Sequence, residues 1–210
     1  MKKDDSTEKR ILDAARKVFY EKGLAGARME EIAQEAGINK AMLHYYFRSK
    51  QKLFEKIFLE AFGQIFPRLI AIVASDISLE EKISQISTSY IEVLTENPQL
   101  PLFVMSSIQR DAGSFVSGMI QDNPLQPSLV LGKLREQIAE EVKAGKINPI
   151  DPRDLIVNII AVSVFPFMMK PILTGLFGMT EEDFQAFISN RKLSVSDFLI
   201  RAVSRADSSQ

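Results

Sequence analysis

Residues 30–54, EEIAQEAGINKAMLHYYFRSKQKLF, predict two short helices joined by a tight turn. Apolar residues recur at helical spacing over a first helix, about residues 29–36, which Gly37 ends. Asn39 is a good N-cap for a second helix that runs to about Tyr46. Two helices with a short, glycine-containing connection are typical of the helix-turn-helix motif, whose second helix enters the major groove of DNA.

The second predicted helix has an open side that suits a DNA groove. If Ala36 and Leu43 face the core, then Lys40, Ala41, His44 and Tyr45 face outward. Lys40 can donate to guanine or to phosphate, and Ala41 allows close approach to a thymine methyl group. His44 and Tyr45 can donate to phosphate oxygens. We expect Tyr46 and Phe47, the next two residues, to be core.

A longer helix is predicted to follow, with Ser49 as its N-cap. Lys50 then lies in the first turn, where a positive charge opposes the helix dipole. A phosphate held by both the helix N-terminus and Lys50 would remove that conflict. Lys50 is therefore a predicted phosphate contact, and Pro67 is predicted to kink the same helix further along.

Composition and charge narrow the classes of protein. The chain has 210 residues, a formal net charge of -1, one histidine and no cysteine, which excludes a disulfide framework and thiolate chemistry. Residues 1–50 hold eleven Lys and Arg against eight Asp and Glu, whereas the remainder is acidic. A basic N-terminal quarter favours an anionic partner for that quarter.

No segment reads as a membrane span or a signal peptide. The most apolar stretch, residues 155–169, is interrupted by Asn158, Ser163 and Pro166, and it falls short of the roughly 18 residues that a spanning helix needs. The N-terminal MKKDDSTEKR has no apolar region behind it. We expect a cytoplasmic protein that does not enter the membrane.

Every periodic segment is helical, so the predicted fold class is all-α. The first helix should end at Gly23, and the glycine- and proline-rich residues 113–127 should be mainly a loop. Capping signals mark the helix starts. The predicted starts are Asp5 with Glu8, Ser49, Ser78 with Glu81, Asn97-Pro98, about Ser128, Asp151-Pro152 and Thr180 with Asp183.

The motifs ILDAA…VFYEKG, EEIAQEAGI and LHYYFRSKQKLF, over about residues 10–54, resemble the N-terminal domain of TetR-family transcriptional regulators. The resemblance implies a homodimer in which residues 1–50 form a helix-turn-helix DNA-binding domain, completed by the start of the fourth helix. It implies that residues 51–210 form a larger helical domain that binds an effector and dimerises. The partners would be a double-stranded DNA operator and a small molecule, with no cofactor and no metal.

The resemblance assigns DNA-facing positions to the second helix of the motif and a phosphate contact to Lys50. Two positions depart from the family pattern. His44 stands where the family often has tyrosine, and Ala27-Arg28 stands where it often has a hydroxyl residue, so Arg28 is a candidate replacement ligand for phosphate. The predicted DNA-binding residues are Arg28, Asn39, Lys40, Ala41, His44, Tyr45 and Lys50.

The rest of the chain carries no motif, and its phenylalanines and methionines suit either an apolar ligand cavity or an ordinary core. We expect an apolar or amphipathic effector. Arg110-Asp111 fit a solvated pair at a helix end and are also a candidate polar contact for the effector. The predicted ligand-binding residues are Phe58, Phe62, Phe66, Phe103, Met105, Phe115, Met119, Phe165 and Met169. The last two helices, by resemblance, form the dimer interface, with Ile159, Phe167, Phe187 and Phe198 as its predicted residues.

Other classes of function have less support. An enzyme needs a general base or an activated nucleophile. The single histidine is already assigned to the predicted DNA-contacting helix, and the sequence shows no motif that pairs carboxylates or lysines for catalysis. A helical homodimer that binds a small molecule without DNA is an alternative, which the basic N-terminal quarter disfavours. The resemblance makes a repressor on a palindromic operator the default, with an activator as the other possibility.

Overall fold

Ten α-helices make up the regular structure of the computed structural model, which describes residues 5–108 and 127–205. These residues contain no strand, only a single bridge between Ile147 and Ser204, so the prediction of an all-α fold is confirmed. The helices are α1 Asp5–Gly26, α2 Met29–Glu35, α3 Lys40–Tyr46, α4 Lys50–Ala74, α5 Leu79–Glu96, α6 Leu100–Ile108, α7 Pro127–Lys143, α8 Pro152–Met168, α9 Lys170–Phe177 and α10 Glu181–Val203.

Most helix starts follow the capping signals in the sequence. The Asn39 side chain accepts from the amide of Met42 at the start of α3. Ser78 with Glu81, and Thr180 with Asp183, form complete capping boxes for α5 and α10. The predicted starts at Asn39, Ser78 and Thr180 are therefore confirmed, because each cap satisfies amides that the helix leaves unpaired.

One predicted boundary is corrected and another is confirmed. The predicted helix at Asn97-Pro98 begins instead at Leu100, because Asn97 ends α5 by donating its amide and side-chain N–H to the Val93 carbonyl. The predicted end of the first helix at Gly23 is confirmed, because Gly23 has non-helical backbone angles, with φ +63°, and α1 continues beyond this kink only to Gly26. A positive φ is inexpensive only for glycine, which explains the break at that residue.

The chain forms two compact units. The described part of the first comprises residues 5–64 and 99–108, and that of the second comprises residues 65–98 and 127–205. The first unit thus extends beyond residue 50, where the sequence predicted a boundary. Four aromatic contacts explain the extension, because they join α1, the first half of α4 and α6: Phe19–Phe54, Tyr20–Phe103, Phe54–Phe103 and Phe58–Phe103, with ring centroids 4.8–5.9 Å apart.

In the second unit, α5 packs against α8 and α10, and α7 packs against α8. Pro166 lies inside α8 and has no N–H to donate to the carbonyl of Val162, four residues earlier. The side chain of Arg191 from α10 takes this place, with Nη2 donating to the Val162 oxygen at 2.7 Å. This bond lets α8 accommodate a proline and joins it to α10.

The predicted break near Pro166 and Pro171 is confirmed. Helix α8 ends at Met168, α9 begins at Lys170, and their axes differ by 69°. Every residue of α9 remains at least partly exposed. This helix therefore adds little to the core of the second unit.

Helix α4 continues without interruption from Lys50 to Ala74, with Pro67 inside it. By length and composition α4 could span a membrane, as could α8 and α9 counted together as one bent span. Core helices of soluble proteins meet the same criterion. Because α4 contributes Leu53, Ile57 and Phe58 to the core of the first unit, this feature is weak evidence for a membrane span.

Candidate nucleic-acid interface and ligand cavity

The turn between α2 and α3 is held by α1. Gly37 adopts φ +65°, a left-handed conformation that favours glycine. Arg10 of α1 donates from Nη2 to the carbonyls of Ala36 at 2.5 Å and Gly37 at 3.3 Å. A Cβ on residue 37 would lie 2.9 Å from that nitrogen. Backbone conformation and close packing together favour glycine in this turn.

Helix α3 presents one buried and one exposed side. Leu43, Tyr46 and the following Phe47 are buried, as the sequence predicted. Ala41, His44 and Tyr45, like Lys40, lie on the exposed side, and the Tyr45 ring meets Tyr46 edge-on at 5.6 Å. Asn39 caps the helix with its side-chain oxygen, 2.8 Å from the amide of Met42, so that oxygen already has a partner within the protein.

Lys40 forms an ion pair with Glu30, a residue of the first turn of α2. The hydrogen bond from Lys40 lowers the pKa of the Glu30 carboxyl, and the nearby charges of Lys40 and Arg28 contribute. Both members of the pair are more than half exposed. The sequence analysis did not identify Glu30, whose only local signal is a carboxylate in the first turn of a helix.

Lys50 joins the start of α4 to the segment before α2. Its Nζ donates to the carbonyl of Ala27 at 2.9 Å, and the next residue, Arg28, is the exposed N-cap of α2 without a side-chain capping bond. The Ser49 hydroxyl accepts from the amide of Lys52 at 3.2 Å, as expected of an N-cap. An ammonium group has three protons, so Lys50 can hold this carbonyl and still donate to an anion.

Three cationic residues therefore belong to the helix-turn-helix or to the start of the next helix. They are Arg28 before α2, Lys40 in α3 and Lys50 at the start of α4. Cations can contact phosphates, and the first residues of a recognition helix can contact base edges. The arrangement is chemically suited to double-stranded DNA.

The second unit contains a cavity of about 340 Å³ between four helices. Its walls are almost entirely apolar, which is typical of small-molecule sites. The lining residues are Phe66, Leu69, Ile70 and Val73 of α4, Ile86 and Tyr90 of α5, Val130 and Leu131 of α7, and Arg153, Ile156, Val157, Ile159 and Ile160 of α8.

Among the described lining residues, two carry polar groups. Burial raises the pKa of the Tyr90 phenol to about 12, so it is neutral at physiological pH. The guanidinium of Arg153 forms a two-bond pair with Asp151, with distances of 2.9 Å from Nε and 2.6 Å from Nη2. That pair holds the pKa of the Asp151 carboxyl at about 2. Neither Tyr90 nor Arg153 was predicted from the sequence, which carries no local signal for them.

The predicted ligand-binding residues are dispersed. Phe66 lines the cavity, whereas Phe58 and Phe103 lie in the aromatic core of the first unit, because they pack against each other. Met105 and Phe165 are exposed. Met169 is half-buried at the break after α8. The Phe62 side chain, Phe115, Met119 and Arg110-Asp111 lie outside the described residues.

The four residues predicted for the dimer interface differ in how exposed they are. Ile159 and Phe167 are buried within the single chain, which does not support their prediction as interface residues. Phe187 is half-buried beneath Arg191, whose guanidinium lies 5.4 Å from the ring centroid. Phe198 is 63% exposed. Other exposed apolar side chains in the last three helices are Val157, Phe165, Ile172, Leu176, Phe177 and Leu193.

Comparison with known proteins agrees with the sequence motifs. Residues 11–57 match the model of the family described as bacterial regulatory proteins, tetR family. The HTH-type transcriptional regulator RutR of Escherichia coli K12 is 29% identical over 204 residues, covering 93% of this chain and 90% of RutR. The HTH-type transcriptional repressor NicS of Pseudomonas putida is 50% identical over 50 residues, which are 24% of each chain.

The fold is also shared with solved structures. The putative transcriptional regulator SCO4942 from Streptomyces coelicolor superposes with a TM-score of 0.68 at 20% identity, covering 95% of this chain and 99% of that one. This similarity covers both the helix-turn-helix and the larger helical unit.

Proposed function

We propose that the chain is a DNA-binding transcriptional regulator of the TetR family, which its match over residues 11–57 and its similarity to RutR support. It represses transcription as a homodimer on a palindromic operator, and a small effector releases it. The exposed side of α3 carries this proposal. There, Ala41, His44 and Tyr45 lie opposite the buried Leu43 and Tyr46. A regulator of this kind is not an enzyme, and we propose a cytoplasmic location, where it meets DNA.

In the proposed complex, α3 is the recognition helix. Its first residues, Lys40 and Ala41, meet base edges, and His44 and Tyr45 donate to phosphates or bases. Lys50 and Arg28 bind the phosphate backbone on the side of α2. Base contacts specify the sequence, whereas phosphate contacts supply affinity that falls with salt.

The exposed apolar side chains of α10 support a dimer. Leu193 and Phe198 are 77% and 63% exposed in the single chain, and exposed apolar clusters mark interaction surfaces. A two-fold dimer reads two half-sites that are centred about 34–36 Å apart, or a multiple of that distance. This geometry requires a palindromic operator.

The cavity of the second unit is the proposed effector site. Its apolar walls suit an apolar or amphipathic molecule, and α4 contributes four of the lining residues. The same helix begins at Lys50, beside the proposed DNA contacts. A ligand that binds the two conformations of the regulator differently shifts the equilibrium between them.

The test is selection of bound duplexes from a random DNA pool by the full chain, followed by mobility shift and a promoter–reporter assay. We expect enrichment of a palindrome and repression when it overlaps the promoter.

Ala41→Glu places a negative charge on the exposed side of α3 and should weaken binding of that palindrome at least 100-fold. Ala139→Glu, at an exposed position in α7, is the matched control and should bind like the wild type. Absence of enrichment, or normal binding by Ala41→Glu, would contradict the proposed interface, and activation of the reporter would contradict repression.

A further inference from the structure

We propose that the effector is a small, uncharged, mainly hydrocarbon molecule with one hydrogen-bond acceptor, which Tyr90 binds. The inference deepens the proposed function, since it rests on the cavity of the second unit being the effector site. Its three components are the size of the cavity, the hydroxyl of Tyr90 and the pairing of Arg153.

The size of the cavity limits the ligand. The volume of the cavity is about 340 Å³. It lies near the lower end of the range of about 300–1,000 Å³ for small-molecule pockets. Branched isoleucine, valine and leucine side chains from all four helices line it. The ligand is therefore small and mainly hydrocarbon.

Tyr90 supplies the hydrogen-bond donor. It is half-buried at the cavity wall, and within the described residues its hydroxyl makes no hydrogen bond. A tyrosine hydroxyl is neutral at physiological pH and can donate its proton to a carbonyl, ether or hydroxyl oxygen of the ligand. An acceptor on the ligand would give this partly desolvated hydroxyl its partner, which favours such ligands over pure hydrocarbons.

Arg153 is the cationic residue among the lining residues, and it already has a counter-ion. Two hydrogen bonds, of 2.9 Å and 2.6 Å, join its guanidinium to both carboxylate oxygens of Asp151. An anionic ligand that used the remaining N–H groups of Arg153 would lie beside the negative charge of Asp151. The pair therefore disfavours carboxylate ligands, although an unpaired arginine would favour them.

Isothermal calorimetry with two probes tests the ligand class without DNA. The first is 2-nonanone, which is uncharged and has one acceptor, and the second is nonanoate, which has a similar chain and a carboxylate. We expect 2-nonanone to bind the wild type at least tenfold more tightly than nonanoate does. Tyr90→Phe, which removes one hydroxyl, should weaken 2-nonanone about five- to tenfold. Tyr20→Phe removes a hydroxyl from the aromatic core of the first unit and should change neither affinity.

Asp151→Asn tests the role of the ion pair. Asparagine is as good an N-cap as aspartate, so α8 should keep its start while Arg153 loses its counter-ion. Nonanoate should then bind about tenfold more tightly than to the wild type, with 2-nonanone unchanged. The inference is overturned if nonanoate binds the wild type more tightly than the ketone, if Tyr90→Phe binds the ketone like the wild type, or if Asp151→Asn does not improve nonanoate binding.

Operator binding separates this inference from the proposed function. If 2-nonanone binds as expected but leaves the affinity for the selected palindrome unchanged, the ligand class is supported and the cavity is not the effector site. If the palindrome is bound and the ketone is not, the DNA-binding function stands and the ligand class is wrong.

Discussion

Glu30 places a carboxylate beside Lys40 on the exposed side of the helix-turn-helix, where the phosphates of DNA would repel it. An exposed ion pair contributes little to stability, so this pair has more effect on what Lys40 can contact. Lys40 reaches a phosphate only by leaving Glu30, and the carboxylate then remains unpaired near the backbone. In the correct operator, a hydrogen bond from Lys40 to a base acceptor compensates for the lost ion pair with Glu30. Non-specific DNA offers no acceptor at that position.

Glu30→Gln should therefore reduce specificity. We expect the affinity for non-specific DNA to rise about tenfold and the salt dependence of log K against log [salt] to steepen by about one unit, because Lys40 becomes able to neutralise another phosphate. The affinity for the selected palindrome should rise less. Fluorescence anisotropy titrations at several salt concentrations measure both.

Glu35→Gln is the matched control, because Glu35 belongs to the same helix and pairs with Lys17. It should change neither the specificity ratio nor the salt slope. If Glu30→Gln raised the affinity for specific and non-specific DNA equally, Glu30 would only repel DNA in general and would not affect sequence specificity.

Lys50→Ala should weaken binding to all sequences alike and reduce the salt slope by about one unit, since one phosphate contact is lost. It also removes the bond to the Ala27 carbonyl, so circular dichroism should confirm that the helices remain. Lys56→Ala, six residues further along α4 and paired with Glu60, is the control. A change in the preferred bases on Lys50→Ala would argue against a phosphate role.

At the scale of the helices, Arg191 compensates for a backbone bond that Pro166 cannot make. Arg191→Met keeps an apolar side chain over Phe187 and leaves the Val162 carbonyl without its partner. We expect a loss of about 1–3 kcal/mol in the free energy of unfolding, measured by urea denaturation.

Pro166→Ala provides the test of this mechanism. Alanine restores an N–H at residue 166, which can donate to the Val162 carbonyl within α8. In that background Arg191→Met should cost clearly less than in the wild type. An equal cost in both backgrounds would assign the effect to packing of the arginine and not to the carbonyl.

Signals between near neighbours in the sequence allowed the helices to be predicted. Ser78 with Glu81 and Thr180 with Asp183 lie three residues apart, so their capping boxes form whatever the rest of the chain does. Asn97-Pro98 misled because both a helix end and a helix start fit that dipeptide. Here the two hydrogen bonds from Asn97 to the Val93 carbonyl favoured the end.

The candidate sites were predictable only in part for the same reason. Periodicity within α3 is local, and it correctly separated the exposed His44 from the buried Leu43. Periodicity also shows that Phe58 and Ile159 are apolar positions, but not which neighbours bury them. The partner of Lys40 is ten residues away, and the cavity around Tyr90 needs four helices, so neither has a pattern in the sequence.

At the scale of the whole molecule, exposed apolar residues on α10 predict a dimer. Leu193→Glu or Phe198→Glu should yield monomers at micromolar concentration, because a charge would be buried at the interface without a partner. Sedimentation equilibrium measures the state directly. Leu102→Glu, at a half-exposed leucine of α6 in the first unit, is the control and should remain dimeric. A monomeric wild type, or dimeric α10 variants, would contradict the assignment.

Helix α4 belongs to both units, since the division between them falls between Gln64 and Ile65. Its first residue is Lys50, and its second half contributes Phe66, Leu69, Ile70 and Val73 to the cavity. A change in the cavity therefore acts on the same helix that carries a proposed DNA contact. Such couplings are typically about 1–3 kcal/mol, or about 5- to 150-fold in affinity, and they are reciprocal.

Pro67→Ala tests whether α4 transmits this coupling by bending. Pro67 has no N–H for the carbonyl of Gly63, four residues earlier, and alanine restores that hydrogen bond and stiffens the helix. We expect Pro67→Ala to bind the palindrome with an affinity within about threefold of the wild type. The factor by which 2-nonanone lowers operator affinity should fall severalfold.

Pro166→Ala makes the same substitution in a helix of the second unit alone and should leave that factor unchanged. Titrations of operator against ligand, and of ligand against operator, must give the same factor for each protein. If that factor is as large in Pro67→Ala as in the wild type, bending of α4 at Pro67 does not carry the signal.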